Sequence, residues 1–150
     1  GEEKYEWFLR GLQERFGRQV SVNLCFSADL ANLVYAASDL YLMPSKSEPC
    51  GLSQLMAMRF GAVPVVNATG GLKDTVPAYE GPESEGRGFT FQSYNADDFL
   101  AAIDRALALY YDAPAQWQEL VRHDMSQDFG WDKGAEHYMA LYHKALGDKA

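Results

Sequence analysis

The spacing of apolar residues divides the first half of the chain into alternating helices and short strands. Apolar side chains recur every three or four positions over 2–16 and 28–37, which predicts two amphipathic helices. Runs rich in β-branched and aromatic residues predict strands at 19–26, 39–43 and 63–66. Pro64 fits only at the entry of its strand, because proline has no N–H to donate. This alternation, with short connections, is typical of a parallel sheet covered by helices.

The second half of the chain predicts one more strand, at 88–91, followed by three helices. Asn95 stands three residues before Asp98, as in a helix-capping pair, and the helix that follows has a regularly spaced apolar face. Pro114 and Trp131 mark the next two helical segments, and we expect all three helices to close the sheet. The prediction is therefore an α/β fold in one domain, 1–150, that ends in several helices.

Two glycine-containing turns follow the strands at 39–43 and 63–66. The first runs from Ser45 to Gly51 and leads into a helix that closes at Gly61, and the second contains Gly70 and Gly71. Backbone amides at a helix start favour anions, and the carboxyl ends of parallel strands lie at one edge of a sheet. We therefore expect the turns to face each other across one cleft that contains Glu48. The alternative is an ordinary strand-to-helix connection whose acidic residue faces water.

Charge and composition narrow the range of partners. The net charge of −8, without a basic run, argues against nucleic acid and against an anionic membrane surface. The chain contains no run of about twenty apolar residues, so no membrane span is predicted. No leader precedes the first helix. We expect a cytoplasmic protein, or a plastid one if the chain comes from a plant. We expect the thiols of Cys25 and Cys50 to be buried and reduced, and nothing in their spacing supports a disulfide or a metal site.

Three segments of the chain resemble bacterial glycogen synthases and plant starch synthases. They are Glu48-Pro-Cys-Gly-Leu-Ser-Gln-Leu, Ala57-Met-Arg-Phe-Gly and Thr69-Gly-Gly-Leu-Lys-Asp-Thr-Val. The resemblance also extends over 39–45, 88–91 and 131–142. It implies a Rossmann-like sheet from the C-terminal, donor-binding half of a two-domain GT-B enzyme. Such enzymes transfer glucose from ADP-glucose to the non-reducing end of an α-1,4-glucan with retention of configuration.

The resemblance also implies roles for individual residues. Glu48 would be the catalytic-site residue that accepts hydrogen bonds from the donor glucose, since a carboxylate is a strong acceptor for sugar hydroxyls. The implied donor-binding residues are Cys50, Gly51, Leu52, Ser53, Thr69, Gly70, Gly71 and Phe26. Phe26 would stack on adenine, or else be a plain core residue, and the Thr69 segment could equally be an ordinary left-handed turn. Met56 replaces a second glutamate that contacts ribose in many related enzymes, so ribose recognition stays unassigned. No metal or resident cofactor is implied, and ADP-glucose is the substrate.

The start of the chain bears on what it can do alone. A GT-B half of this kind begins with a strand, whereas this chain begins with a predicted helix, so the resemblance implies that two strands and their basic residues are missing. The acceptor-side domain that would hold the α-glucan would be missing too. We therefore expect a donor-binding part that is inactive alone. The alternative is a non-catalytic module that binds a nucleotide or a nucleotide sugar.

Overall fold

A computed structural model describes residues 2–147, apart from the side chain of Lys133. The chain divides into two compact units, residues 1–32 and 33–150. The first unit contains helix α1 (Glu3–Phe16), which ends at Gly17 as predicted, and the start of α2 (Ala28–Ala37). The apolar side chains of α1 are largely exposed within this structure, for example Trp7 and Phe8.

The strand predicted at 19–26 is wrong, because the structure has no strand there. The backbone N–H groups of Gln19 and Val20 both donate to the carbonyl of Phe16, at 2.6 and 3.2 Å. The N–H of Val22 donates to the side-chain oxygen of Gln13, at 2.6 Å. A β-rich sequence forms a strand only where a neighbouring strand can pair with it. Here acceptors near the end of α1 bind the backbone N–H groups of Gln19, Val20 and Val22 instead.

The second unit is built on a three-stranded parallel sheet in the order β1-β2-β3. Leu40 lies opposite Val63 in the first strand pair, and Val65 lies opposite Phe89 in the second. Both connections between strands contain a helix, and three longer helices follow the last strand. The elements are β1 (Leu40–Met43), α3 (Ser53–Phe60), β2 (Val63–Asn67), α4 (Gly70–Thr75), β3 (Phe89–Phe91), α5 (Ala96–Asp112), α6 (Pro114–Ser126) and α7 (Trp131–Leu146).

The alternating side chains of β2 form two separate cores, one on each face of the sheet. Val63 and Val65 pack with residues of β3, α5 and α6, including Trp117. Val66 packs on the opposite face with Leu72 and other residues around α4. Helices therefore cover both faces, and the predicted α/β fold class is confirmed.

Pro64 lies in the central strand, where proline is normally excluded. The N–H of Val63 donates to the carbonyl of Asp39, at 2.9 Å, so the nitrogen of the next residue faces the other edge of β2. On that edge β3 begins only at Phe89, opposite Val65. Pro64 therefore leaves no ladder hydrogen bond unmade, as its predicted place at the strand entry requires.

The last helix departs from the prediction that all three C-terminal helices close the sheet. α5 and α6 pack on the sheet, whereas Trp131, Tyr138 and Tyr142 of α7 are 81, 54 and 59% exposed. α5 and α6 bury the residues of β2 and β3 on that face, and this core includes no described residue of α7. No helix among the residues that the structure describes is long and apolar enough to cross a membrane.

Candidate functional site

The two glycine turns lie side by side at the carboxyl edge of the sheet. We call residues 44–52, between β1 and α3, the first turn, and residues 68–71, from the end of β2 to the first residues of α4, the second turn. The side-chain amide of Asn67 donates to the carbonyl of Ser45, at 2.9 Å. The N–H of Gly71 donates to the carbonyl of Glu48, at 3.1 Å. The turns are thus in direct contact, and the amide of Gly71 is engaged within the chain.

The close approach of the turns requires both glycines of the second turn. A Cβ on Gly70 would overlap the carbonyl oxygen of Glu48, and a Cβ on Gly71 would overlap that of Cys50. Gly70 also has a φ of +48°, in the left-handed region that side chains disfavour. The alternative interpretation of an ordinary left-handed turn at Thr69 to Gly71 therefore stays open beside the phosphate-binding one.

The first turn presents free backbone amides at the start of α3. Within the described part of the chain, the N–H groups of Cys50, Gly51, Leu52 and Ser53 make no backbone hydrogen bond. No side chain caps this helix end, and Gly51 has a φ of +73°. Unsatisfied amides at a helix N-terminus carry partial positive charge and favour an anion. This stretch can therefore hold a phosphate or a sugar oxygen.

Glu48 presents a carboxylate beside these amides. Its side chain is half-buried, and it makes no hydrogen bond or ion pair to any residue between 2 and 147. Its own carbonyl is held by Gly71, so the backbone is fixed while the carboxylate is available. The neighbouring Lys46 is exposed, as expected for a surface lysine. A carboxylate in this setting can accept hydrogen bonds from the hydroxyls of a ligand.

Gln54 is a residue of this site that sequence reasoning missed. Its side chain is fully buried, and its amide nitrogen lies 2.9 Å from the carbonyl of Gly51 and 3.1 Å from the hydroxyl of Thr75. It therefore joins the first turn to the end of α4. The sequence did contain a signal, because Gln54 has the helical spacing of the buried residues Ala57 and Met58.

Two cavities lie near these elements. One of about 360 Å³ adjoins the carboxyl ends of β1 and β3, where Pro44, Phe91 and Tyr94 line it. The other, of about 520 Å³, lies between α3 and the end of α6 and is lined partly by Arg59 and Asp124. Burial raises the pKa of Asp124 to about 8, and the nearby positive charge of Arg87 opposes the shift. Neither cavity was predicted from the sequence.

Three predicted residues lie elsewhere or in another environment than expected. Cys25 and Cys50 are free and exposed, so the prediction of buried thiols is wrong. Cys50 lies in the first turn and Cys25 in the segment that forms no strand, and neither place has a core around it. Phe26 belongs to the first unit and is fully exposed, so no core of the described residues surrounds it. Its stacking on adenine stays a prediction. The described residues contain no cluster of three or more His, Cys, Asp or Glu that could hold a metal ion.

Comparison with known proteins identifies the family. The model of the family "Glycosyl transferases group 1" matches residues 1–124. The chain belongs to the group 1 glycosyl transferases. This group 1 glycosyl transferase chain is 47% identical over 146 residues to the glycogen synthase of Kosmotoga olearia, and 44% identical over 146 residues to that of Thermotoga maritima. Each match covers 97% of this chain and 30% of the relative, so the chain spans about a third of the length of the curated relatives it matches.

Solved structures show the same relationship. The catalytic domain of starch synthase IV from Arabidopsis thaliana, bound to ADP and acarbose, matches with a TM-score of 0.86 and 34% identity. That match covers 97% of this group 1 chain and 31% of the plant one. Sucrose-phosphate synthase from Thermosynechococcus elongatus matches with a TM-score of 0.64 and 26% identity, over 94% and 34% of the two chains. The predicted resemblance to glycogen and starch synthases is thus confirmed.

Proposed function

We propose that this chain is the donor-binding part of a retaining glucosyltransferase of the glycogen and starch synthase type. The observation that carries the proposal is the first turn, where free amides at the start of α3 lie beside the available carboxylate of Glu48. A nucleotide sugar has both of the groups that such a turn suits, namely phosphates and sugar hydroxyls. The likeness to glycogen synthases and to an ADP-bound starch synthase supports ADP-glucose as the donor.

In this proposal each part of the site has one task. Glu48 accepts hydrogen bonds from the glucose hydroxyls and orients the sugar. The amides of Cys50 to Ser53 bind the sugar and the phosphates, and Thr69 and Gly70 add contacts from the second turn. Phe26 stacks on the adenine ring. The donor is a substrate, and no resident cofactor takes part.

The acceptor in this proposal is the non-reducing end of an α-1,4-glucan, which a further domain would hold. The chain spans 30% of the length of the glycogen synthases that it matches, so most of the enzyme would lie outside it. A non-catalytic nucleotide-binding module is the second candidate, and it would use the same turns without transferring glucose.

Titration of the 150-residue chain with ADP, followed by amide chemical shifts, tests the proposal. We expect shifts at Gly51 to Ser53 and at Gly70, with a dissociation constant in the millimolar range. Exposed helix N-termini favour anions by only about 0.3–1 kcal/mol each, and roughly −4 kcal/mol corresponds to millimolar binding. The net charge of −8 weakens binding of an anion further. Shifts confined to α6 and α7, with both turns silent, would contradict the proposed site.

A further inference from the structure

The buried side chain of Gln54 contacts the backbone of the first turn directly. Its amide nitrogen Nε2 lies 3.3 Å from the carbonyl of Cys50 and 2.9 Å from that of Gly51. The same nitrogen lies 3.1 Å from Oγ1 of Thr75, 21 positions further along the chain. Gln54 thus joins the turn ahead of its own helix to the end of α4.

The hydrogen bonds fix which way round the amide group lies. Thr75 donates its hydroxyl proton to the carbonyl of Gly71, at 2.7 Å, so its oxygen accepts from Gln54. The nitrogen of Gln54 therefore faces acceptors only, and the reverse orientation would set its carbonyl oxygen against two other carbonyls. In the observed orientation Oε1 is buried and has no partner among the described residues. A buried acceptor without a partner destabilises the folded state, so the contacts made by Nε2 offset this loss of stability.

These contacts have a consequence for the amides of the first turn. In a planar trans peptide, the C=O and the N–H point in opposite directions. The carbonyl of Cys50 shares its peptide plane with the N–H of Gly51, and the carbonyl of Gly51 shares its plane with the N–H of Leu52. The two protons of Nε2 are shared among the two carbonyls and Thr75, and the contact with Cys50 is the longest of the three. Because both carbonyls point toward Nε2, the N–H groups of Gly51 and Leu52 point away from the Gln54 side chain.

We propose that Gln54 is a positioning residue, which holds two consecutive peptide planes of the first turn so that the amides of Gly51 and Leu52 are directed at the phosphates or sugar of a nucleotide. Thr75 extends this hold to the second turn through the carbonyl of Gly71. The inference rests on the proposed function for the identity of the ligand. The orientation of the two amides rests on the contacts alone.

The experiment compares the 150-residue chain with its Gln54→Met variant, because methionine keeps the length of the side chain but donates no hydrogen bond. Without ligand, we expect the amide resonances of Gly51 and Leu52 to move, because their peptide planes are no longer held. With ADP as the probe, we expect affinity to fall by about tenfold, which corresponds to the loss of one or two hydrogen bonds. Circular dichroism should show the same helix content as in the unchanged chain.

Variants of Thr75 and Gln92 make the test specific. Thr75→Val removes the hydroxyl at constant shape and should shift the same two amides, whereas Thr75→Ser should restore them. Gln92→Met, at an exposed site, should change neither the amides nor the affinity. If Gln54→Met does not fold, the Thr75 pair decides between a positioning role and a purely structural one.

The outcomes separate this inference from the proposed function. If the unchanged chain binds ADP through the first turn and Gln54→Met binds it equally well with unmoved amides, the positioning role is overturned and the proposed function stands. If the unchanged chain shows no response to ADP but Gln54→Met still moves the amides of Gly51 and Leu52, the proposed function fails and the orienting role of Gln54 is supported.

Discussion

Glu48 combines a fixed backbone with an available side chain. The Gly71 amide holds its carbonyl at 3.1 Å, and no residue of the described chain engages its half-buried carboxylate. A side chain that served only to stabilise the turn would have a partner in the structure. The arrangement therefore suits a residue whose hydrogen bonds are made to a ligand.

The change Glu48→Gln tests this role in an enzyme that contains the chain. We expect turnover with ADP-glucose to fall by roughly 10²-fold, because hydrogen bonds to a charged acceptor contribute about 1.5–3 kcal/mol each. Steady-state kinetics with glycogen as acceptor would measure the loss, and the free energy of unfolding should barely change. Glu83→Gln, at an exposed loop position, is the matched control. Near-normal turnover of the Glu48 variant would make Glu48 an ordinary loop acid.

Asp124 should give the chain a pH-dependent stability. Burial raises the pKa of this carboxyl from its ordinary 3.8 to about 8 in the folded chain, with Arg87 opposing the shift. The folded state therefore binds the proton more tightly than the unfolded state does. The free energy of unfolding should fall as pH rises from about 4 to about 8, by up to about 1.4 kcal/mol per pH unit.

Urea denaturation at several pH values, compared between the chain and its Asp124→Asn variant, measures this effect. Asparagine mimics the neutral carboxyl, so the variant should lose less stability over this pH range and should gain most over the unchanged chain near pH 8. Asp104→Asn, at an exposed position of α5, should leave the pH profile unaltered. Parallel pH profiles for the chain and its Asp124 variant would show that Asp124 is charged in the folded state.

At the level of elements, the sequence predicts best where the signals are local. α3 and α5 follow from their periodicity and end signals, such as the left-handed Gly61 and the Asn95 cap. The segment 19–26 and the packing of α7 were predicted wrongly. A strand at 19–26 would need a neighbouring strand to pair with, and the packing of α7 depends on how much of the sheet other helices cover, and a local pattern contains neither.

The same distinction holds for the candidate site. The two turns were predictable, because a strand, a glycine-rich loop and a helix follow each other directly in the sequence. The link from Gln54 to Thr75 was not, because it spans 21 positions and depends on how α3 and α4 lie against each other. The exposed position of Cys50 was missed because general burial preferences say nothing of a particular turn.

The cap of α5 is the element whose contribution can be measured most directly. The side-chain oxygen of Asn95 accepts from the N–H of Asp98, at 2.8 Å, as the sequence predicted. Because α5 covers β2 and β3, loss of this cap should destabilise the whole second unit. We expect Asn95→Ala to lower the free energy of unfolding by about 1 kcal/mol. Denaturant unfolding measures this, with Asn95→Asp as the variant that keeps the cap, and equal stability of all three chains would contradict it.

At the scale of the whole molecule, the proposed function gives the chain only the donor side of a two-substrate reaction. The first turn suits the donor, and the net charge of −8 gives no general attraction for an anionic nucleotide. Glucosyl transfer requires the donor and the acceptor to be held together in reactive geometry, which accounts for much of an enzyme's rate advantage. The chain spans 30% of the length of the related glycogen synthases, and under the proposed function the glucan would be held outside that span.

We therefore expect the 150-residue chain to transfer no measurable glucose, even under conditions where it binds ADP. The assay incubates it with radiolabelled ADP-glucose and glycogen and measures the label incorporated into the glucan. A glycogen synthase that uses ADP-glucose, assayed alongside, shows that the substrates and the detection work. A weak shift of the Gly51 to Ser53 amides with ADP, together with incorporation at the level of the blank, is the expected combination. Incorporation well above the blank would mean that this chain holds the acceptor as well, and the division of tasks proposed for it would be wrong.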